Sequence, residues 1–268
     1  MTTTGTTTEE PANALVLAER RGAVLLLTLN EPKRRNALSL GLRGALHDRL
    51  AEGMEDAGVR AIVVTGAGGS FCAGGDISIM KPGEGIASRD RVERLQRITR
   101  LLVGGPKVVV AAVEGHAAGA GLGLAAACDI VVAAETAQFV SAFGRIGLMP
   151  DMGALWTLPW RMGPAPTRRM VFLGQSLSGT EAAQAGLADI ACPAGAALEV
   201  ALARAQEIAS GPTRAFGLAK SMLARHPASL DAALRAEADG QGLLFTSEDF
   251  AEGQKAFFEK RAPVFKGA

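Results

Sequence analysis

Two glycine-rich runs constrain this chain more than any other feature of its sequence. GAGGSFCAGGD occupies residues 66–76 and GHAAGAGLG occupies residues 115–123, and each follows a short apolar run, at 60–65 and 107–113. Short apolar runs bounded by glycine are typical of buried β-strands. Strands that alternate with glycine turns and helices predict an α/β core. The glycines are expected where the backbone needs unusual angles or a close approach to another group.

The helices on either side of these runs are predicted from spacing and capping residues. Ser39 offers an N-cap to a helix that carries an apolar stripe at every fourth residue. Residues 77–90 contain a proline and two glycines, and they predict a mobile segment before a helix over 91–103. A further strand is expected at 130–134. The stripe consists of Leu42, Leu46, Leu50 and Met54.

The C-terminal part of the chain has a helical pattern throughout. Helix starts are predicted at Pro212, Ser229 and Ser247. The Thr-rich N-terminus has no apolar core, so it predicts a disordered tail rather than a signal peptide. The predicted organisation is a tail over 1–13, a core over 14–195 and a helical region over 196–268.

Composition excludes several classes of function. The 268 residues carry a net charge of +1, which gives no electrostatic footprint for nucleic acid or an acidic membrane surface. No apolar run approaches the roughly 18 to 20 residues that span a bilayer. Three widely spaced cysteines argue against a disulfide framework or a zinc site and favour the cytoplasm. No metal-binding pattern is present in the sequence, so small-molecule chemistry is the default expectation.

The glycine runs allow three interpretations. A dinucleotide fingerprint would require glycine at positions 71 and 124, where the chain has Phe71 and Leu124. Tight packing turns are a second interpretation. In the third, each turn supplies one backbone N–H to a single oxyanion, because free N–H groups point outward where a strand gives way to a helix.

Four motifs together resemble a known family. FCAGGDI and GHAAGAGLGLAAACDI, with PKRRNAL before them and KAFFEKRAPVFKG after them, resemble signatures of the crotonase (enoyl-CoA hydratase/isomerase) family, in the same order. The matches span residues 32–267. The resemblance implies a spiral of ββα turns with a C-terminal helical trimerisation region. It also implies an acyl-CoA substrate, no permanently bound cofactor, and a homotrimer or a dimer of trimers.

The resemblance also implies where substrate would bind. By motif position, the N–H groups of Ala73 and Ala120 would donate to the thioester carbonyl oxygen. Position 120 carries alanine where glycine is common in the family. The residues implied to contact the coenzyme A moiety are Arg34, Ala37, Asp76, Ile77 and Lys260.

The proton-transfer groups of ordinary hydratases are missing. Two glutamates activate water in those enzymes, and the matching positions here are Gly123 and Phe143, neither of which titrates. Asp151 lies instead in the apolar stretch GLMPDMGALW, which resembles isomerases of the dienoyl-CoA and epoxyphenylacetyl-CoA types. Apolar neighbours are expected to raise the pKa of this carboxyl.

Asp151 is therefore the predicted acid and base of a double-bond isomerase. An aspartate here could instead be the N-cap of a helix that begins near Met152. Two further alternatives remain open at the level of function. One is a hydratase with an atypical set of acid and base groups, and the other is a non-catalytic protein that binds acyl-CoA.

Overall fold

The structure is a computed structural model that describes residues 14–225 and 229–268. The predicted tail over 1–13 lies outside these residues. The strands are β1 (Val16–Arg21), β2 (Val24–Leu29), β3 (Ala61–Gly66), β4 (Val108–Val113), β5 (His116–Ala118), β6 (Ile130–Ala134), β7 (Gln138–Val140), β8 (Leu177–Ser178) and β9 (Ile190–Cys192). The α-helices are α1 (Leu40–Glu55), α2 (Gly85–Gly104), α3 (Ala120–Ala126), α4 (Ala154–Met162), α5 (Pro164–Leu173), α6 (Gly179–Ala185), α7 (Ala197–Ser210), α8 (Thr213–Arg225), α9 (Leu230–Leu244) and α10 (Glu248–Glu259).

The strands form two sheets that the chain visits in turn. The larger sheet has the order β1-β2-β3-β4-β6-β9, and the smaller has the order β5-β7-β8. From β4 the chain passes to β5, returns through α3 to β6, and then passes to β7. Neighbouring strands β4 and β6 pair in parallel, as do β5 and β7. These two successive turns of the chain each add a strand to both sheets, which is the arrangement expected of a spiral of ββα turns.

Both faces of the larger sheet are buried. On one face the predicted stripe of α1 is buried, with Leu42, Leu46 and Leu50 fully inaccessible. On the other face, the alanine side of α7 packs against β2, β3 and β4. Small alanines allow this helix to lie close to the sheet. Burial on both faces explains why these strands read as continuous apolar runs.

Several boundaries confirm the sequence predictions. Ser39 Oγ accepts a hydrogen bond from Leu42 N at 3.2 Å, so it is the N-cap of α1. The strand expected at 130–134 is present with those bounds. Ser229 and Ser247 cap α9 and α10 with their side chains, and α8 begins one residue after Pro212. Short strands β5, β7, β8 and β9 were not predicted, because two or three residues carry too little pattern.

The prediction of a mobile segment over 77–90 is wrong for residues 85–90. Residues 85–90 form the first turns of α2, and residues 77–79 form a short 3-10 turn. Two ion pairs stabilise this end of the helix: Arg89 pairs with Glu93 at 2.6 Å, and Arg91 approaches Glu84 at 3.6 Å. Pro82 and Gly83 interrupt the chain before the helix rather than within it.

The helices after residue 195 differ in what they contact. Glu114 Oε1 accepts from the N–H groups of Gly195 and Ala197, which fixes the start of α7 on the sheet. α8 packs against α2, whereas α9 has no buried residue. The division at residue 195 remains a prediction. Within 14–225 and 229–268, no helix is both long and apolar enough to cross a bilayer.

Candidate active site

The two glycine runs lie side by side. Cys72 pairs in parallel with Ala117 of β5, and its N–H donates to His116 O at 2.9 Å. Ala118 N donates back to Cys72 O at 3.0 Å. The first run therefore continues the smaller sheet, and its end faces the N-terminus of α3.

Asn36 holds the first glycine run against the preceding loop, a role that the sequence did not predict. This residue is fully buried and has a positive φ of 55°. Its side-chain amide donates to Ala67 O at 2.9 Å and to Ser70 O at 2.7 Å, while its oxygen accepts from Glu31 N. Asparagine tolerates this left-handed conformation better than most residues, so the PKRRNAL motif has a structural reason for asparagine here.

The prediction that Ala73 is an oxyanion donor is wrong, because its N–H already donates to another backbone group. Ala73 N donates to Arg35 O at 2.9 Å, so it has no hydrogen available for a substrate oxygen. Gly75 N–H, two residues later, donates to no acceptor among the described residues. The choice between Ala73 and Gly75 depends on pairing with residues 35–38, which the motif alone does not reveal.

Ala120, the other donor predicted from the motif, has an N–H with no acceptor among the described residues. It is the first residue of α3, and the first N–H groups of a helix have no partner within the helix. The next intrahelical bond begins at Gly123 N, which donates to Gly119 O. The helix dipole adds positive potential at this end. Gly75 and Ala120 therefore form a pair of donors suited to a developing oxyanion.

Gly74 allows the two donor loops to approach. Its φ of 102° is a conformation that other residues rarely adopt. A Cβ at this position would lie 2.7 Å from Ala118 O and 3.5 Å from Ala120 N. Only glycine can occupy this position without moving α3 away from the first loop.

Asp151 lies on the loop between the 3-10 turn Phe143–Ile146 and α4. The next residue, Met152, is buried and has a positive φ of 54°, which is a strained conformation for a residue with a side chain. Gly123 of α3 lies directly against this loop, because a Cβ at Gly123 would be 2.6 Å from Met152 Cβ and 3.0 Å from Asp151 O. The position of Asp151 is therefore fixed by its backbone contact with α3.

The carboxylate of Asp151 is largely but not fully buried, and one of its two oxygens lacks a partner. Its Oδ1 atom is inaccessible and has no hydrogen-bond partner among the described residues. Burial raises the pKa of Asp151 from its usual value near 3.8 to about 6, although a hydrogen bond from its own backbone N–H and, to a smaller extent, the positive charge of Arg43 oppose the rise. A carboxylate with this pKa is a stronger base than an exposed aspartate, yet it is mostly ionised at neutral pH.

The capping alternative for Asp151 is not supported by the geometry. α4 begins at Ala154, and its N-cap is Gly153, with no side-chain hydrogen bond at this end. Asp151 contributes its backbone carbonyl to Ala154 N instead. The side chain does not cap α4, and Asp151 lines the cavity described next.

Both donors and Asp151 line one cavity of about 920 Å³. Its wall is formed by the two glycine loops, α2 and the segment 142–156. Apolar side chains dominate the lining: Ile77, Met80, Val92, Phe143, Leu148 and Trp156. Glu93 is the one other carboxylate among the described lining residues, and it is half-exposed and paired with Arg89. An apolar lining strengthens hydrogen bonds to a developing charge once substrate displaces water from the cavity.

Cys72 adjoins the donors but is unsuited to nucleophilic chemistry. Its thiol is fully buried, and burial raises its pKa to about 12. A thiol with this pKa stays protonated at neutral pH, and the thiolate is the nucleophilic form. The described residues contain no cluster of three or more potential metal ligands.

The residues implied to bind coenzyme A are divided between two places. Arg34 pairs with Asp76 at 2.8 Å, and Ile77 follows on the surface, so three of them lie together beside the cavity. Ala37 lies on the adjoining loop, where Leu38 N donates to Gly74 O. Lys260 ends α10, and in the described part of the chain no hydrogen bond or ion pair joins it to the other four.

The sequence of this chain is similar to those of acyl-CoA enzymes. The model of the enoyl-CoA hydratase/isomerase family matches residues 19–268. A probable enoyl-CoA hydratase of Rhodobacter capsulatus is 40% identical over 248 residues, which are 90% of this chain and 94% of the relative. The 1,2-epoxyphenylacetyl-CoA isomerase of Escherichia coli is 36% identical, over 94% of this chain and 98% of the relative.

The fold agrees with this relationship. A crystal structure of an enoyl-CoA hydratase from Polaromonas superposes with a TM-score of 0.88 at 32% identity, and the match covers 93% of this chain and 99% of the other. The α/β spiral with C-terminal helices, expected from the motifs, is therefore confirmed.

Proposed function

Since the chain belongs to the enoyl-CoA hydratase/isomerase family, we propose that it isomerises the double bond of an acyl-CoA thioester with Asp151 as the proton carrier. The relatives described above include both a hydratase and an isomerase, so family membership leaves the reaction open. The observation that carries the proposal is that Asp151, a largely buried aspartate, lines an apolar cavity together with two backbone N–H groups that have no acceptor among the described residues.

The reaction needs one group that removes and returns a proton. Asp151 takes a proton from a carbon of the acyl chain, and the electron pair moves onto the thioester oxygen to give a dienolate. Gly75 and Ala120 donate to this oxygen, and each well-placed donor contributes on the order of 3 kcal/mol to lowering the barrier. Asp151 then returns the proton to a second carbon, which shifts the double bond without adding water.

The substrate would be held as a coenzyme A thioester, with no resident cofactor. Arg34 lies beside the cavity entrance and offers a planar cation for the phosphate groups. Its ion pair with Asp76 orients the guanidinium. Asp76 is itself fixed, because its Oδ1 accepts from the N–H and hydroxyl of Ser78.

Hydration is the second candidate, favoured by Glu93 in the cavity wall and by the hydratase relative. The two reactions separate when the protein is incubated in deuterated buffer with 2-enoyl-, 3-enoyl- and ring-bearing CoA thioesters. A moved double bond with no added water supports the proposal. Gain of one water establishes hydration instead. Thermal stabilisation by acyl-CoA without any product would indicate the non-catalytic alternative.

The proposal predicts a specific pH dependence. Asp151 must be ionised to remove a proton, and its pKa is about 6 in the free protein. We therefore expect kcat/KM to fall about tenfold per pH unit below this value and to level off above it. Initial rates between pH 4.5 and 8 would test this. A profile that is flat through pH 6 would contradict the assignment of Asp151 as the base.

We also propose that the protein assembles as a homotrimer or a dimer of trimers in the cytoplasm. Large apolar side chains are exposed on the C-terminal helices, notably Phe257 and Phe258 of α10 and Leu243 of α9. The ring centroids of Phe257 and Phe258 lie 5.7 Å apart, and exposed apolar side chains that cluster are typical of interaction sites. Light scattering coupled to size exclusion is expected to give three or six times the 27.6 kDa chain mass. A monomeric mass would exclude the assembly.

A further inference from the structure

Arg43 of α1 lines a second lobe of the active-site cavity. This lobe has a volume of about 420 Å³ and shares Gly75, Ala120 and Asp151 with the main cavity. It extends from the donors towards α1 and α2. The Nη2 atom of Arg43 is inaccessible and has no hydrogen-bond partner among the described residues. A buried donor of this kind is costly unless something else satisfies it.

The charges around Arg43 do not provide that partner. Burial lowers the pKa of its guanidinium, and the positive charges of Arg91 and Arg94 lower it further, whereas Asp151 and Asp76 oppose the shift. Asp76 is already paired with Arg34. No ion pair within hydrogen-bond distance joins Arg43 to Asp151.

Arg91 is different, because its guanidinium is occupied. Its Nη1 donates to Ile79 O at 3.1 Å, and its Nη2 donates to Ser88 Oγ at 2.7 Å. Arg91 therefore supplies positive charge to the lobe, whereas Arg43 supplies an unused donor. Besides these two and Asp151, the charged residues of the wall are Asp76 and Lys81. The rest is mostly apolar and includes Leu38, Ile79, Met80, Val92, Leu95 and Ile146.

This combination matches one class of acyl chain. Methylene groups would pack against the apolar wall, and an acceptor at the far end would reach Arg43. The fork of a guanidinium suits a carboxylate, which can accept two parallel N–H bonds. We propose that this site takes acyl-CoA thioesters whose acyl chain ends in a carboxylate, bound by Arg43. The inference rests on the proposed function, since it names the substrate class of the same site.

The test compares two substrates that differ only at the far end of the chain. These are the CoA thioesters of trans-2-hexenoic acid and trans-2-hexenedioic acid, incubated in deuterated buffer. Because isomerisation leaves the mass of the thioester unchanged, turnover is followed by chromatographic separation of the isomeric product, with mass spectrometry to detect any deuterium or water gained. The native protein is expected to have the higher kcat/KM for the carboxylate-ended thioester. Arg43→Met should lower that value about 10- to 100-fold, the usual cost of losing a charge-assisted hydrogen bond. For the hexenoyl thioester, kcat/KM should change by a smaller factor, since only the charge near Asp151 is lost and no contact to the acyl chain is removed.

The ratio of the two kcat/KM values is the decisive readout. Arg43→Met also removes a charge near Asp151, but this affects both substrates alike and cancels in the ratio. Arg94→Met is the matched control, because Arg94 lies near Arg43 without lining the lobe, and its ratio should stay native.

Each result decides a separate question. Turnover of the hexenoyl thioester with no preference for a carboxylate, or a preference that survives Arg43→Met, would overturn this inference and leave the proposed function standing. Absence of turnover with either substrate would remove support for the proposed function. In that case the affinities of hexanoyl-CoA and adipyl-CoA for the native protein and Arg43→Met, measured by calorimetry, still decide the role of Arg43. A carboxylate preference lost in the variant supports the inference, and equal affinities overturn it.

Discussion

Replacing Asp151 with Asn is expected to lower kcat about 1,000-fold while leaving the affinity for a non-reactive acyl-CoA unchanged. General acid–base groups contribute roughly 10² to 10⁴ to catalysis, and this cavity holds no other buried carboxylate among its described lining residues. Asn keeps the shape of the side chain, so the donors Gly75 and Ala120 remain in place. Steady-state kinetics and calorimetry with a saturated acyl-CoA would measure the two quantities.

Stability provides an independent check on the same variant. The folded-state pKa of Asp151 is about 6, above its usual value near 3.8, so the folded protein binds this proton more tightly than the unfolded chain. The native protein should therefore lose stability as the pH rises from 4 to 6, by on the order of 1–3 kcal/mol. Asp151→Asn removes this loss and should have a higher Tm at pH 7.

The control for this variant is Asp48→Asn on α1, whose carboxylate is 73% exposed. This substitution should change neither kcat nor Tm. If Asp151→Asn retained native turnover, Asp151 would not be the proton carrier. If it lost turnover together with stability, the variant would report misfolding rather than chemistry.

Much of the fold follows from local pattern. The stripe on α1 and its Ser39 cap could be read directly, because four-residue spacing and capping chemistry are local properties. The start of α2 could not be predicted in this way. Pro82 and Gly83 indicate a loop, whereas the helix that follows them is stabilised by its own ion pair and by packing against α1. The strands of the smaller sheet depend on pairing between distant residues, as in Cys72 with Ala117.

The site was predictable in outline but not in detail. Asp151 stood out because a single acid in an apolar stretch is conspicuous, and Ala120 was identifiable from its motif. The prediction of Ala73 failed because sequence does not reveal that Arg35 O accepts a hydrogen bond from the N–H of Ala73. Nothing in the sequence distinguishes Arg43 from the other polar residues of α1. Its place in the wall of the second lobe depends on the cavity that α1 and α2 form together.

Replacing Gly123 with Glu is expected to abolish activity rather than to create a hydratase. Position 123 matches a hydratase glutamate, yet here a Cβ would lie 2.6 Å from Met152 Cβ and 3.0 Å from Asp151 O. The side chain would push the Asp151 loop away from α3 and place a second carboxylate beside the first. Overpacking alone costs about 1–3 kcal/mol, and burying an unpaired charge adds to this. We expect loss of turnover and a large fall in the free energy of unfolding.

A graded series separates the crowding from the charge. Gly123→Ala adds only the Cβ, so it should lose about 1–3 kcal/mol of stability and part of the activity because Asp151 moves. Gly44→Ala is the matched control, because nothing lies within 4 Å of a Cβ there, and an exposed helical glycine replaced by alanine should gain about 0.5–1 kcal/mol. Urea unfolding and kcat measured on all three variants test the contact. Native stability and turnover in Gly123→Ala would mean that α3 does not hold the Asp151 loop in place. The absence of a glutamate at position 123 and the presence of an aspartate at position 151 would then be unrelated. The close contact argues that they are linked, because the Asp151 loop can occupy its position only when residue 123 has no side chain.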